Sequence, residues 1–586
     1  MSISVYNKFL LFVAGLGGLL YGIDVGVIAG ALPYLQATTD YTPAQYSIVV
    51  AAVLLGSVLS SLFAGALSDL FGRKWVMILA GVCFVLSVPV ICLPSGFIFL
   101  VLGRILQGVA AGLIGVVVPL YLAECLKADK RGFGTGMFQF MLTIGLVFAA
   151  VVGLYFAKHV DGVKELGDPV KTWEAMDFAW KAIFWACAVP GVIFSVGALF
   201  VSESPAWLYK TGKKEAALKA LLRSRKPEEA EAELADMGAT NAPAEKSGDA
   251  DKPKDSIFKK KYVIPFVIAV VILACNQATG INSVLAYIVD ILKQAGLEGS
   301  VANQGDLVVK LLNMVMTIFA MILVDRKGRK FLLTLGTTGI IVGLLGVAGL
   351  FLKSEMAMET YDAGTRAQVV VEKDLDKTGM EQKNADGSVK TKEVKYDYYY
   401  TLTPAEIQKL TGAKEFVPSQ AKLVYKQNGE VGIATVVVRG NEKDNSEITL
   451  KVPAGESFSI ESLSVGPLPS ETNGWLVVFF FAIFIASFAV GPGVCVWLAL
   501  SELMPTRIRA NGMSIALLIN QGVSTVIAGT FLPVVGSYGY STIFFFCAGC
   551  TVIYWITAVF FLPETKGKRL EQIEAYFEGN KDALKD

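Results

Sequence analysis

Asp24, in Tyr21-Gly22-Ile23-Asp24, and Arg104, in Gly103-Arg104, are ionisable residues set inside apolar runs of a 586-residue chain. An unpaired charge in such a run is costly, so each calls for a partner, and the two suit one another. A carboxylate that is alternately ion-paired and protonated ties a proton to a change of shape, because protonation removes the charge that holds the pair. A permanent structural salt bridge is the plainer alternative. A second group consists of amides: Asn276, Gln277 and Asn282 in Asn276-Gln277-Ala278-Thr279-Gly280-Ile281-Asn282, followed by Tyr287, with Gln139, Asn313, Asn520 and Gln521 in other apolar runs. Amides both donate and accept hydrogen bonds, which suits hydroxyl groups, and Trp497 adds a flat apolar face with an N–H donor. Few acids or bases accompany them, so the expected ligand is neutral. Taken singly, each amide reads first as an interhelical hydrogen bond; as a group they favour a ligand cavity.

A third set of residues repeats along the chain. Ser68-Asp69-Leu70-Phe71-Gly72-Arg73-Lys74 and Val324-Asp325-Arg326-Lys327-Gly328-Arg329-Lys330 carry one Asp-x-x-Gly-Arg-Lys pattern 256 residues apart. Glu124 with Arg131 is echoed by Glu502 with Arg509, and Glu203 in Ser-Glu-Ser-Pro by Glu564 in Pro-Glu-Thr-Lys. The Glu124–Glu502 spacing is 378, so the second half carries about 120 additional residues. Asp69, Arg73, Glu124, Arg131, Asp325, Arg329, Glu502 and Arg509 read as gating residues, ion-pair latches between helix ends that form in one conformation and release in another. A single motif of this kind reads equally as ordinary interfacial charge; two in register favour the latch.

The elements that hold these groups follow from composition. Apolar residues make up 54% of the chain and charged residues only 18%, and two blocks, 203–261 and 353–472, hold 24 and 34 of its 103 charges. A span of about 20 apolar residues crosses a bilayer, and on that measure twelve helices are expected, near 9–33, 46–68, 75–93, 97–125, 136–157, 180–201, 262–291, 305–324, 331–352, 473–500, 510–534 and 541–562. Short loops after even-numbered spans carry Arg73, Lys74, Lys127, Lys130, Arg131, Arg326, Lys327, Arg329, Lys330, Arg507 and Arg509, which places them and both termini in the cytoplasm. The expected fold is an all-α membrane protein of twelve transmembrane helices in a 6+6 arrangement, with an external α+β domain inserted between helices 9 and 10. Its divisions are 1–202 (six-helix bundle), 203–261 (cytoplasmic linker with a helix over Lys213–Arg225), 262–352 (helices 7–9), 353–472 (insert), 473–565 (helices 10–12) and 566–586 (cytoplasmic tail). Within the insert, Thr403-Pro404-Ala405-Glu406 reads as a helix-starting capping box, and Asn428-Gly429 as a hairpin turn between 421–427 and 432–439.

Several functions drop out. A net charge of +1 gives no basic excess for nucleic acid. The single histidine, His159, and eight cysteines in or beside apolar runs support no metal site, disulfide framework or Ser/His chemistry, so neither an enzyme nor a cofactor is expected. No Gly-x-x-x-x-Gly-Lys-Ser/Thr sequence supports an ATP-driven pump. The first apolar run, Lys8 to Leu32, is too long for a signal-peptide core and reads as a retained span. The absence of any Asn-x-Ser/Thr sequon favours a bacterial cytoplasmic membrane.

The ordered set of Gly22-Ile23-Asp24, both Asp-x-x-Gly-Arg-Lys turns, Gly103-Arg104, Pro119-x-Tyr121-x-x-Glu124, Gln277-x-x-Gly280-Ile281-Asn282, Gly491-Pro492-Gly493 with Trp497, and Pro563-Glu564-Thr565-Lys566-Gly567 resembles the sugar porter family of the major facilitator superfamily. It is similar to the bacterial proton-linked xylose, arabinose and galactose symporters and to the glucose facilitators. The resemblance implies sugar contacts at Gln139, Asn276, Gln277, Asn282, Asn313, Trp497 and Asn520, with Tyr21 and Tyr287 nearby, and proton coupling at Asp24 and Arg104. It implies a functional monomer that imports a monosaccharide with a proton; a facilitative uniporter and a transporter-like nutrient sensor are the alternatives. Three positions depart from the family pattern: Asn276 where a second glutamine is usual, Gln521 where tryptophan often stands, and Ala206 where the Pro-Glu-Ser-Pro-Arg pattern has arginine. The insert lies outside the family pattern, and a lid, a partner-docking module and a carbohydrate-sensing module all fit it.

Overall fold

Long apolar segments whose backbone cannot bond to water must satisfy their own N–H and C=O groups, and here they do so as helices. The computed structural model describes residues 3–93, 96–127, 131–241, 259–361, 368–373, 391–402, 419–427, 429–438, 448–453, 457–504, 508–564 and 570–577. The first half contains α1 (Ile3–Thr38), α2 (Pro43–Phe71), α3 (Arg73–Cys92), α4 (Phe97–Cys125), α5 (Arg131–Lys164) and α6 (Pro169–Phe200). Three short helices follow: α7 (Pro205–Lys210), α8 (Lys214–Ser224) and α9 (Pro227–Asn241). The second half opens with α10 (Lys260–Ala278), α11 (Ile281–Gln294), α12 (Gly299–Lys327) and α13 (Arg329–Met356), and closes with α14 (Glu471–Val490), α15 (Pro492–Leu503), α16 (Arg509–Ile556) and α17 (Leu570–Phe577).

By length and composition, eleven helical runs among the described residues are able to cross a membrane. The count falls one short of twelve because the last run, Ile515–Phe561, is 47 residues long and is interrupted only at Gly539, whose φ of 86° is not helical. The loop expected at 535–540 is thus reduced to a single kinked residue. Lipid-facing composition is evident in exposed Phe63, Leu70, Phe99, Val189, Phe200, Phe546 and Phe560, while the facing helix surfaces bury Leu20, Ile23, Leu113, Phe184, Leu344 and Phe481.

Between α13 and α14 the described residues form strands: β1 (Glu359–Tyr361), β2 (Gln368–Lys373), β3 (Thr391–Leu402), β4 (Ser419–Gln427), β5 (Glu430–Val438), β6 (Ile448–Pro453) and β7 (Phe458–Pro467). They make two antiparallel sheets, ordered β1-β7-β4-β5 and β2-β3-β6. Gln427 pairs with Glu430, so β4 and β5 form a hairpin around the Asn428-Gly429 step, with Gly429 at φ 86°. Asn428 itself, and the capping box at Thr403–Glu406, lie outside the described residues.

Small residues set the helix spacing that the buried charges depend on. A Cβ on Gly22 would sit 1.9 Å from the carbonyl oxygen of Leu142, and one on Gly108 would sit 2.0 Å from that of Val53. Helix α1 is therefore in backbone contact with α5, and α4 with α2, which fixes the depth of Asp24 and Arg104 against their neighbours.

Candidate functional site

The two ionisable residues meet. Asp24 and Arg104, each 1% exposed, approach to 3.9 Å between Oδ1 and Nη1, an ion-pair distance too long for a hydrogen bond. Arg104 instead donates through Nη1 to Oε1 of Gln107, one turn further along α4, at 2.7 Å, and its guanidinium carbon lies 5.8 Å from the ring centre of Phe184. Asp24 Oδ1, Arg104 Nε and Gln107 Nε2 are buried with no hydrogen-bond partner among the described residues. Gln107 was not singled out by sequence; its position three residues after Arg104 on one helix face is the signal that would have found it.

The amide group converges as well, and the reason is local. Gly280 adopts a left-handed conformation at φ 81° and breaks the span into α10 and α11, so Gln277 and Asn282 flank an interruption that only a protein-lined cavity tolerates. Asn282 Nδ2 donates to Gln277 Oε1 at 3.0 Å and to Ser524 Oγ at 2.8 Å. Gln277 Nε2 donates to Asn520 Oδ1 at 3.3 Å, and Asn520 Nδ2 to the carbonyl of Leu273 at 2.9 Å. The result is a chain of amides joining the broken helix to α16. Asn276 is buried beside it with Oδ1 unpartnered among the described residues. From the other half, the Tyr21 hydroxyl reaches Gln521 and Ser57. Gln139 and Asn313 are half-buried on α5 and α12, outside the amide chain. The Trp497 side chain lies outside the described residues.

Tyr287 belongs to a different feature. Its ring stacks on Phe531 at 4.5 Å, and its hydroxyl donates to the carbonyl of Ala528 at 3.0 Å and lies 3.4 Å from Ser47 Oγ on α2. Ser47 Oγ in turn accepts the N–H of Leu532 at 3.2 Å. Asp161, at the end of α5, accepts the N–H of Ser300 at 2.7 Å in the first turn of α12, a favourable place for a carboxylate. The two halves are thereby sealed at the end of the bundle that carries the α1–α2 connection.

At the opposite end, each half holds its own carboxylate network. Arg73 is 5% exposed; it donates through Nε and Nη2 to Glu124 at 2.9 and 2.8 Å, and through Nη1 to Asp69 Oδ1 at 2.8 Å and the Ser68 carbonyl at 3.0 Å. Ser204 also hydrogen-bonds Glu124. Glu203 accepts the N–H groups of Arg73, Lys74 and Ser204. The second half repeats this: Glu564 accepts the N–H groups of Arg329 and Lys330 at 3.1 and 3.2 Å. Gly72 and Gly328 share one backbone geometry, φ 95° and 90°, and each is packed against its glutamate. Glu203 and Glu564 served in the sequence only as landmarks of the repeat; they are helix caps. The side chains of Arg131, Asp325, Glu502 and Arg509 lie outside the described residues. Helices α8 and α9 dock on the end of α4, where Arg225 donates to the Cys125 carbonyl at 3.0 Å. Lys127 donates to Glu229 at 2.7 Å and holds that carboxyl below its ordinary range.

The sequence matches the family described as "Sugar (and other) transporter" over residues 10–365 and 458–577. The unmatched interval contains β2 to β6. The glucose transporter GlcP of Staphylococcus epidermidis is 26% identical over 578 residues, covering 97% of each chain. The facilitated glucose transporter member 12 of Xenopus laevis is 27% identical over 570 residues, 96% of this chain and 88% of that one. Among solved structures, the xylose transporter XylE of E. coli, in a partially occluded inward-open conformation, superposes with a TM-score of 0.64 at 20% identity over 96% of this chain and 100% of that one.

Proposed function

The chain belongs to the sugar porter family of the major facilitator superfamily, and from that premise we propose that it imports a monosaccharide together with a proton, by alternating access between two six-helix halves. The reading rests most heavily on the buried Asp24–Arg104 pair, in which Arg104 gives its short hydrogen bond to Gln107. Gln107 keeps one hydrogen bond on the guanidinium when Asp24 takes up a proton, but the buried cation then lacks its counter-charge, and that cost couples protonation to a change of shape. The sugar lies among Gln277, Asn282, Asn520 and Asn276, whose hydrogen bonds to one another are exchanged for bonds to its hydroxyls. Gln139 and Asn313 complete the site from α5 and α12, and Tyr21 closes it from α1.

In this reading the Ser47–Tyr287–Leu532 contacts are the outer seal, the α1–α2 connection lies outside and both termini lie in the cytoplasm of a bacterial cell, an orientation supported by the Lys and Arg residues in the loops after even-numbered spans. The carboxylate networks around Arg73 and Arg329 brace the cytoplasmic ends of each half. In one cycle a proton from outside binds Asp24, the sugar binds the amides, the halves rock, and both leave inside. One proton moving down about 100 mV supplies about 2.3 kcal/mol, enough for roughly fifty-fold accumulation. The relatives' printed names, a glucose transporter and a facilitated glucose transporter, support the substrate class and keep uniport as the competing reading.

The test is uptake of labelled hexoses and pentoses into proteoliposomes with an imposed inward proton gradient. Wild type is expected to concentrate one of them, and Asp24→Asn to lose concentration while retaining downhill exchange. Equal, purely equilibrative uptake by both proteins would make this a uniporter. Absence of uptake by folded protein would sink the transport reading.

A further inference from the structure

A cavity of about 670 Å³ lies between the strands that follow α13, the ends of α1, α2, α11 and α13, and the Gly539 kink of α16. That volume is in the range of small-molecule sites, about 300–1,000 Å³. Its floor is the seal itself: Leu532 lines the cavity and gives its N–H to Ser47. Tyr41 and Tyr540 come from the helical side and Tyr425 from β4, so rings stand on opposing walls. Gln36 on α1 and Gln420 on β4 add amides, again one from each wall. The charges present are mixed, with Asp40, Asp290 and Glu355 against Lys293 and Lys422, which leaves no strong field for an ion of either sign. Glu355 is already engaged by the Oγ and N–H of Ser541 beside the Gly539 kink, so that wall is fixed. Asp290 lines the cavity, and its Oδ2 is buried with no hydrogen-bond partner among the described residues.

We infer that this cavity is a second, outer sugar-binding site, an antechamber built by the insert on top of the closed seal and distinct from the amide site beneath it. The chemistry is that of a neutral polyhydroxylated ligand: flat ring faces that carry hydroxyls, amides that donate and accept, and carboxylates beside them that accept hydrogen bonds from hydroxyls. Its class rests on the sugar-transport reading above; the site rests on the insert. A sugar held there is released onto the amide site when the Ser47–Tyr287 contacts part.

The experiment is equilibrium dialysis of the purified full-length protein against labelled D-glucose and, in parallel, D-xylose. Variants are Asn282→Ala in the amide site and Tyr425→Ala and Gln36→Ala on opposite walls of the antechamber. Two sugars per chain are expected in wild type and one in each variant, with the KM of uptake raised severalfold in the two antechamber variants. Gln36→Ala reads the site from the helical side, so an unfolded insert in Tyr425→Ala does not spoil the test. One sugar per wild-type chain, lost in Asn282→Ala and unaffected by Tyr425→Ala and Gln36→Ala, overturns the antechamber and leaves the transport reading standing. Binding lost in Tyr425→Ala and Gln36→Ala by a protein that transports neither sugar keeps the antechamber and overturns transport. Binding of neither sugar to any variant overturns both.

Discussion

Asp24 and Arg104 are legible as a pair, because charges inside twenty-residue apolar runs need partners, and Gln277, Asn282 and Asn520 stand out as a group of amides in the same setting. Gln107 and Ser524 do not, since a lone glutamine or serine on a membrane helix is unremarkable until its neighbour is known. The distinction carries energetic weight in the amide chain. Gln277 accepts from Asn282 and donates to Asn520, so Gln277→Ala removes one donor and one acceptor and leaves both neighbours unsatisfied. At about 1–3 kcal/mol for the lost bonds, the KM for sugar is expected to rise on the order of 10- to 100-fold, with the apparent melting temperature of the sugar-free protein nearly unchanged because the neighbours turn to water in the cavity. Initial-rate uptake at a series of sugar concentrations measures this; an unchanged KM would remove Gln277 from the binding site.

Helix ends show a different balance between what sequence discloses and what geometry adds. The twofold Asp-x-x-Gly-Arg-Lys pattern was plain from spacing alone, and its glycines at φ 95° and 90° are the turns it called for. Spacing did not disclose that a glutamate from the far end of each half, Glu203 or Glu564, closes over the start of α3 or α13. A capping contact between residues 130 apart in sequence leaves no local signature. Gly72 is doubly constrained: its backbone, at φ 95° and ψ 157°, lies in a region essentially confined to glycine, and a Cβ would come within 2.3 Å of Glu203. Gly72→Ala is therefore expected to cost about 1–3 kcal/mol from conformation alone, with further loss from displacing the cap. Glu203→Ala, which removes only the cap, is expected to cost about 1 kcal/mol. Thermal unfolding of the two variants in detergent separates them, and the prediction fails if Glu203→Ala is the more damaging. The Gly539 kink is the converse case. Apolar residues on both sides of a six-residue stretch suggested a loop, but the non-helical backbone of Gly539 alone separates the two helical runs.

At the scale of the whole molecule, the question is how a helical bundle accommodates some 120 residues that its own repeat does not contain. The charge-rich block and the lengthened second half located the addition, but alternation in short polar strands is weaker than a membrane span's signal, so of the two sheets only the β4–β5 hairpin emerged from the sequence. Their attachment is economical. β1 pairs with β7, Glu359 opposite Val465, and Gly466 packs directly on Met358, so the chain leaves α13 and re-enters α14 at adjoining points. Helices α13 and α14 pack on each other below this junction. The family match also stops at 365 and resumes at 458. Replacing residues 359–465 with Asn-Gly should leave a bundle that folds, because a two-residue turn of this type spans the gap between antiparallel neighbours. The shortened protein is expected to reach the membrane and to carry sugar at saturating concentration, while uptake at low concentration falls because the cavity above the seal has lost the wall that holds Gln420 and Tyr425. Size-exclusion profiles and uptake curves for the full and shortened chains measure both halves of the claim. Aggregation of the shortened chain would mean that the strands brace the bundle; identical uptake curves would mean that they neither brace it nor feed it.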